Sequence, residues 1–146
     1  LRLAAAGVAV QFILYDPAEA TRLAALQRRG VVPGDLLSVL YVLGRYTPRQ
    51  VSQPDDLAAF LAPGAPRFAS WMTCAFGRNE AACVLAGARV GGGMRVGFEN
   101  NLLRPDGTVA ADNATLVGIV ADGLQRIGRR PLKADALRQA WGIGSG

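Results

Sequence analysis

Apolar runs and helix-start signals alternate along this chain. Val8 to Tyr15 reads as a first strand. Asp16-Pro17-Ala18-Glu19 then predicts a helix start, with Asp at the N-cap, Pro in the first turn and Glu three residues after the cap. Arg28, Arg29 and Gly30 end that helix with the basic residues and glycine favoured at a C-terminus. Leu36 to Leu43 is an apolar run but for Ser38, the pattern of a strand covered on both faces. A helix is expected around Pro54 to Ala62, stopped by Pro63-Gly64-Ala65-Pro66. Arg67 to Ala75 makes a third strand, and Asn79 is placed to cap a helix from Glu80 to Ala88. Met94 to Glu99 makes a fourth strand. A loop turning at Pro105-Asp106-Gly107 then leads to a helix from about Asn113 to Ile127, with a short one from Ala134 to Trp141.

The repeat of strand, loop and helix has a period of roughly 30 residues, the length of a βα unit. Alternating β and α elements predict an α/β fold with a parallel sheet. A doubly wound sheet and a barrel both satisfy that pattern. No GxGxxG follows a strand, and Gly91-Gly92-Gly93 precedes one, so the dinucleotide-binding fingerprint is missing. Strand alternation sends Arg95, Gly97 and Glu99 to one face of the fourth strand, and Met94, Val96 and Phe98 to the other. An arginine and a glutamate on one face of an apolar strand are expected either to pair with each other or to meet a metal or ligand.

Composition narrows the chemistry. The 146 residues are 51% apolar, and no run approaches the roughly 18 residues of a membrane span. The net charge of +5 rests on 15 arginines and one lysine, which are scattered, without interleaved aromatics. That pattern predicts no nucleic-acid partner. There is no histidine, which excludes Ser-His-Asp or Cys-His catalysis and histidine metal ligands from within the chain. Cys74 and Cys83 lack CxxC spacing and are expected to be ordinary buried thiols of a cytoplasmic protein. The start at Leu1-Arg2-Leu3, without Met, is expected to lie mid-protein rather than in a signal peptide.

Met94-Arg95-Val96-Gly97-Phe98-Glu99-Asn100-Asn101, then Arg104-Pro105-Asp106-Gly107, then Ala111-Asp112-Asn113-Ala114-Thr115-Leu116-Val117, resemble the C-terminal signature of the β-keto acid cleavage enzymes. The resemblance extends through Leu43-Gly44, Trp71, Gly77-Arg78-Asn79 and Ala136-Leu137-Arg138. It implies a zinc-dependent TIM (β/α)8 barrel, of which this chain supplies the C-terminal four βα units as a half-barrel. The N-terminal half is then expected outside this sequence. It implies a retro-Claisen type exchange in which a β-keto acid and acetyl-CoA give acetoacetate and a new acyl-CoA. Relatives assemble as tetramers, so a homo-oligomer is expected.

By the same resemblance Glu99 ligates Zn2+, with two histidines of an HxH motif lying outside this chain. Arg95 orients a carboxylate or stabilises oxyanion charge, a task that suits a planar guanidinium. Arg45 and Arg78, on strand-end loops, are candidates for the phosphates of coenzyme A. Three positions depart from the family pattern. Asn100 stands where the family has the acid/base Asp, Gly93 where it has a histidine, and Gln11 and Ile13 where the first strand usually has carboxylates. An amide cannot act as a base near neutral pH. These departures keep a second reading open, a catalytically impaired homologue acting as a binding or regulatory module. Length alone allows a third, a self-assembling half-barrel, whose inward strand faces (Val39, Tyr41, Trp71 and Thr73) would need a partner.

Overall fold

The computed structural model describes residues 3, 6, 8–32 and 37–141. Four parallel strands form one sheet in sequence order: β1 (Gln11–Leu14), β2 (Ser38–Leu43), β3 (Ser70–Ala75) and β4 (Gly93–Met94). Helices α1 (Pro17–Arg28), α2 (Glu80–Arg89), α3 (Asn113–Arg126) and α4 (Ala134–Ala140) follow or flank them. The link between β2 and β3 is a short 3₁₀ helix, Pro54–Ala59, rather than the α-helix expected to Ala62. Residues 33–36 lie outside the described residues, and with them the expected start of β2 at Leu36.

Helix starts follow local chemistry. Asp16 accepts from the Glu19 N–H at 2.9 Å, and Glu19 reaches back to accept from the Tyr15 N–H at 2.6 Å. Asp112 accepts from the Thr115 N–H at 2.7 Å and from its hydroxyl at 2.8 Å, which holds the Asp112 carboxyl below the usual carboxylate range. Asn79 behaves differently. It stands at the N-cap of α2 without capping it, and its Nδ2 donates to the Ser52 carbonyl at 2.9 Å. Asp16→Ala removes the cap of α1 and is expected to cost about 1 kcal/mol of stability, read from the denaturant midpoint.

Every residue of β2 is buried, Ser38 included, as its otherwise apolar run predicts. Its two faces have different neighbours. Val39, Tyr41 and Leu43 join a core with Leu23 of α1, Phe60 after the 3₁₀ helix and Cys83 of α2. Leu40 and Val42 cluster on the other face with Cys74, Tyr15, Met72 and Phe76, and no helical residue among the described ones joins that cluster. The expectation that Val39, Tyr41, Trp71 and Thr73 face inward is therefore corrected. Trp71 packs on the helix-side core, and Gly87 of α2 lies so close over Thr73 that a Cβ there would sit 2.7 Å from the threonine hydroxyl. The alternation has the expected phase, but the helices cover the opposite face.

Helices α1 and α2 pack on one face of a sheet that runs β1-β2-β3-β4 without reversal, and α3 packs against α2. A doubly wound sheet has a switch in strand order, and the described strands show none. The arrangement is an α/β fold consistent with half of a (β/α)8 barrel. No helix among the described residues is long and apolar enough to cross a membrane.

Candidate active site at the carboxyl ends of the strands

The fourth strand is shorter than Met94 to Glu99. The ladder ends after Met94 with one further bond, from the Arg95 N–H to the Thr73 carbonyl at 3.0 Å. Gly97 then takes φ +141°, a conformation L side chains rarely adopt, and the chain turns. The Gly97 carbonyl accepts from the N–H groups of Asn100 at 3.0 Å and Asn101 at 3.2 Å, closing that turn. Asn113 Oδ1 accepts from the Phe98 N–H at 2.8 Å, and a Cβ on Gly97 would lie 2.8 Å from the same oxygen. The expected placement of Arg95, Gly97 and Glu99 along one strand face is thus corrected, because they lie on a tight turn at the strand end.

That turn brings Arg95 Nη2 to 3.4 Å from Glu99 Oε2. Glu99 is 75% exposed and Arg95 33%, so this ion pair adds little to stability. Arg95 Nη2 also approaches Cys74 Sγ at 3.9 Å, while its buried Nε has no hydrogen-bond partner. Burial pushes the Cys74 thiol up to about 11, against the opposing pull of Arg95, so it stays protonated at neutral pH. Both cysteines are buried and free.

Arg95, Glu99 and Asn100 line a cleft of about 180 Å³ with Ile13, Tyr15, Val42, Arg45 and Phe76. Its wall is built from the carboxyl ends of β1, β2 and β3 and the turn after β4, the end where barrel enzymes place their chemistry. Arg45 is itself exposed, its guanidinium carbon 5.2 Å from the centre of the Phe76 ring, a cation–π contact. Arg78 is exposed and does not line this cleft. The sequence-predicted residues Arg95, Glu99, Asn100 and Arg45 are brought together, and Arg78 stands apart.

Asn100 is buried and pinned by its backbone, which also accepts from the Gly77 N–H at 3.4 Å. Gly93, where the resemblance leads one to expect a histidine, lies against Met72. A Cβ there would be 2.9 Å from Met72 Cγ, so the methionine has taken the space a side chain would need. Gln11, where the resemblance leads one to expect a carboxylate, donates to Ser38 Oγ at 3.0 Å and to Met72 Sδ at 3.3 Å. No three His, Cys, Asp or Glu side chains gather into a metal-holding group among the described residues. Glu99 offers a carboxylate at the cleft, which fits one corner of a two-histidine, one-carboxylate site and no more.

Sequence reasoning missed Glu80. It is 1% exposed, with Oε1 accepting from the Gly97 N–H at 3.1 Å and Oε2 accepting from Asn101 Nδ2 at 3.2 Å. Burial raises its pKa, against those two donors. An acid in the first turn of a helix reads in sequence as a solvated dipole partner, and nothing local marks it as buried.

The beta-keto acid cleavage enzyme family model matches residues 1–143. That match runs through all four strands and through the turn that carries Arg95, Glu99 and Asn100. Nearly the whole chain lies within it, so the chain belongs to the β-keto acid cleavage enzyme family, a family of enzymes acting on β-keto acids.

Proposed function

We propose that this chain contributes four βα units of a (β/α)8 barrel that exchanges the acyl group of a β-keto acid with acetyl-CoA, giving acetoacetate and a new acyl-CoA. The observation that carries this reading is the gathering of Arg95, Glu99 and Asn100 around one cleft at the carboxyl ends of parallel strands. The Arg95 guanidinium would orient the substrate carboxylate and offset oxyanion charge as the carbon–carbon bond breaks. Arg45 would attract anionic substrate or coenzyme A to the same mouth, with Arg78 as a more distant cation. Asn100 holds a hydrogen-bonding amide at the acid/base position, so any proton transfer there awaits another group.

In this proposal Glu99 is the chain's ligand to a zinc ion whose histidine ligands lie outside this sequence. When bound, such an ion supplies Lewis-acid polarisation of the keto group. The site would work as a homo-oligomer in the cytoplasm, with no nucleic acid or membrane partner. Turnover of acetyl-CoA with a panel of β-keto acids, followed by acetoacetate release, tests the activity. Absence of exchange with every acid would favour a binding module.

Zinc dependence is tested separately. Glu99→Gln in the complete barrel is expected to lower zinc affinity by at least about 10–100-fold, since losing even an outer partner of a ligand costs that much. The far-UV spectrum should not change, because Glu99 is exposed and contributes no core contact. Full zinc content in the variant would remove Glu99 from the ligand set.

A further inference from the structure

The turn that carries Glu99 and Asn100 is fastened to the body of the protein through a residue that touches no part of the cleft. Glu80 begins α2, and its two carboxylate oxygens each accept one hydrogen bond from that turn. One comes from the backbone N–H of Gly97, two residues before Glu99. The other comes from the side chain of Asn101, next to Asn100. We infer that Glu80 is a positioning residue that sets where the Glu99–Asn100 edge of the cleft stands. This deepens the proposed function and rests on its reading of those two residues.

The geometry requires a carboxylate at position 80. Asn101 cannot turn its amide round, because Oδ1 accepts from the Leu103 N–H at 2.8 Å and Nδ2 donates to the Leu103 carbonyl at 2.6 Å. Asn101 therefore presents only an N–H to Glu80, and Gly97 has only an N–H to offer. Two donors facing one side chain call for two acceptor oxygens, which a carboxyl group has and an amide lacks. The Gly97 backbone needs such a tether because its φ of +141° has no regular-structure ladder to hold it. Glu80 itself does not move easily, since its helix packs on β3, β4 and α3.

Glu80→Gln keeps the size and replaces one acceptor by a donor, which then faces the Asn101 donor. Amide hydrogen exchange reads the result without any turnover, so failure of the acyl-exchange reading leaves this test intact. Exchange of the Gly97 N–H is expected to rise about tenfold or more, while amides in α1 keep their protection. Adding Asn101→Asp should recover part of the loss, because the amide at position 80 then donates to the carboxylate at position 101. Asn101→Asp alone sets two carboxylates against each other and should release the turn as Glu80→Gln does. It serves as the test variant if Glu80→Gln does not fold. Unchanged Gly97 exchange in either single variant would overturn the inference. So would loss of α1 protection in both, which would make Glu80 a requirement of the whole fold rather than of the turn.

Discussion

Asn100→Asp in the complete barrel is expected to raise turnover of a β-keto acid with acetyl-CoA, by up to about 10²–10⁴-fold, the usual worth of a positioned acid or base. The two side chains have the same shape, and the Asn100 backbone is held at both its N–H and its carbonyl, so the new carboxylate should occupy the old amide's place. The position lines the cleft beside Glu99 and lies opposite no other carboxylate there. Arg95 and Arg45 line the same cleft and offset the added negative charge. A fall in turnover would mean that the base has moved elsewhere and that a second charge next to Glu99 disturbs the site. An unchanged rate across substrates would remove position 100 from the chemistry.

Tyr41→Ala is expected to have the largest effect on stability. The Tyr41 ring is 1% exposed, with ring centres 4.6 Å from Phe60 and 5.6 Å from Trp71. It fills the space between the central strand, the segment after the 3₁₀ helix and β3. Burial raises its phenol pKa, with Arg67 opposing, so the ring stays neutral in the core at ordinary pH. Removing a large aromatic side chain from such a site costs about 3–5 kcal/mol, a large share of the 5–15 kcal/mol by which domains are stable. Chemical denaturation should show a strongly lowered midpoint. Tyr41→Phe keeps the ring and should stay close to the parent. A small change for Tyr41→Ala would mean that the neighbouring side chains collapse into the gap.

The helix boundaries were legible where a short polar side chain has one local task. Asp16 caps as expected, and the start at Asn113 follows from Asp112. The apolar run of β2, interrupted only by Ser38, likewise announced a buried strand. What was not legible depends on partners distant in sequence. Which face of β2 and β3 the helices would cover is decided by where the connections cross, and alternation at period two is blind to that. The extent of β4 depends on Gly97 leaving the extended region, which a glycine permits but does not announce. The segment after Gln53 stayed at six residues of 3₁₀ helix, because two short turns gain little from propagation before Pro63 and Gly64 stop them. At the site, Arg95, Glu99 and Asn100 were singled out by the resemblance of one motif to the family signature, and they line one cleft. Glu80 was not, since its meaning lies in the turn it holds, beyond the reach of its own neighbours in sequence.

Strand order has a consequence for how the chain is assembled. Each strand pairs with the one made just before it, and β1-β2-β3-β4 contains no strand that must slide between two already joined. Growth can therefore proceed at a single edge, as the polypeptide leaves the ribosome, with each new βα unit docking on a finished template. Among the described strands the connections to be closed are of similar, modest length, so no one of these steps carries a much larger entropic cost than another. A topology of this kind also tolerates duplication. A unit appended at the growing edge meets the same kind of neighbour as the unit before it, and the sheet extends without rewiring.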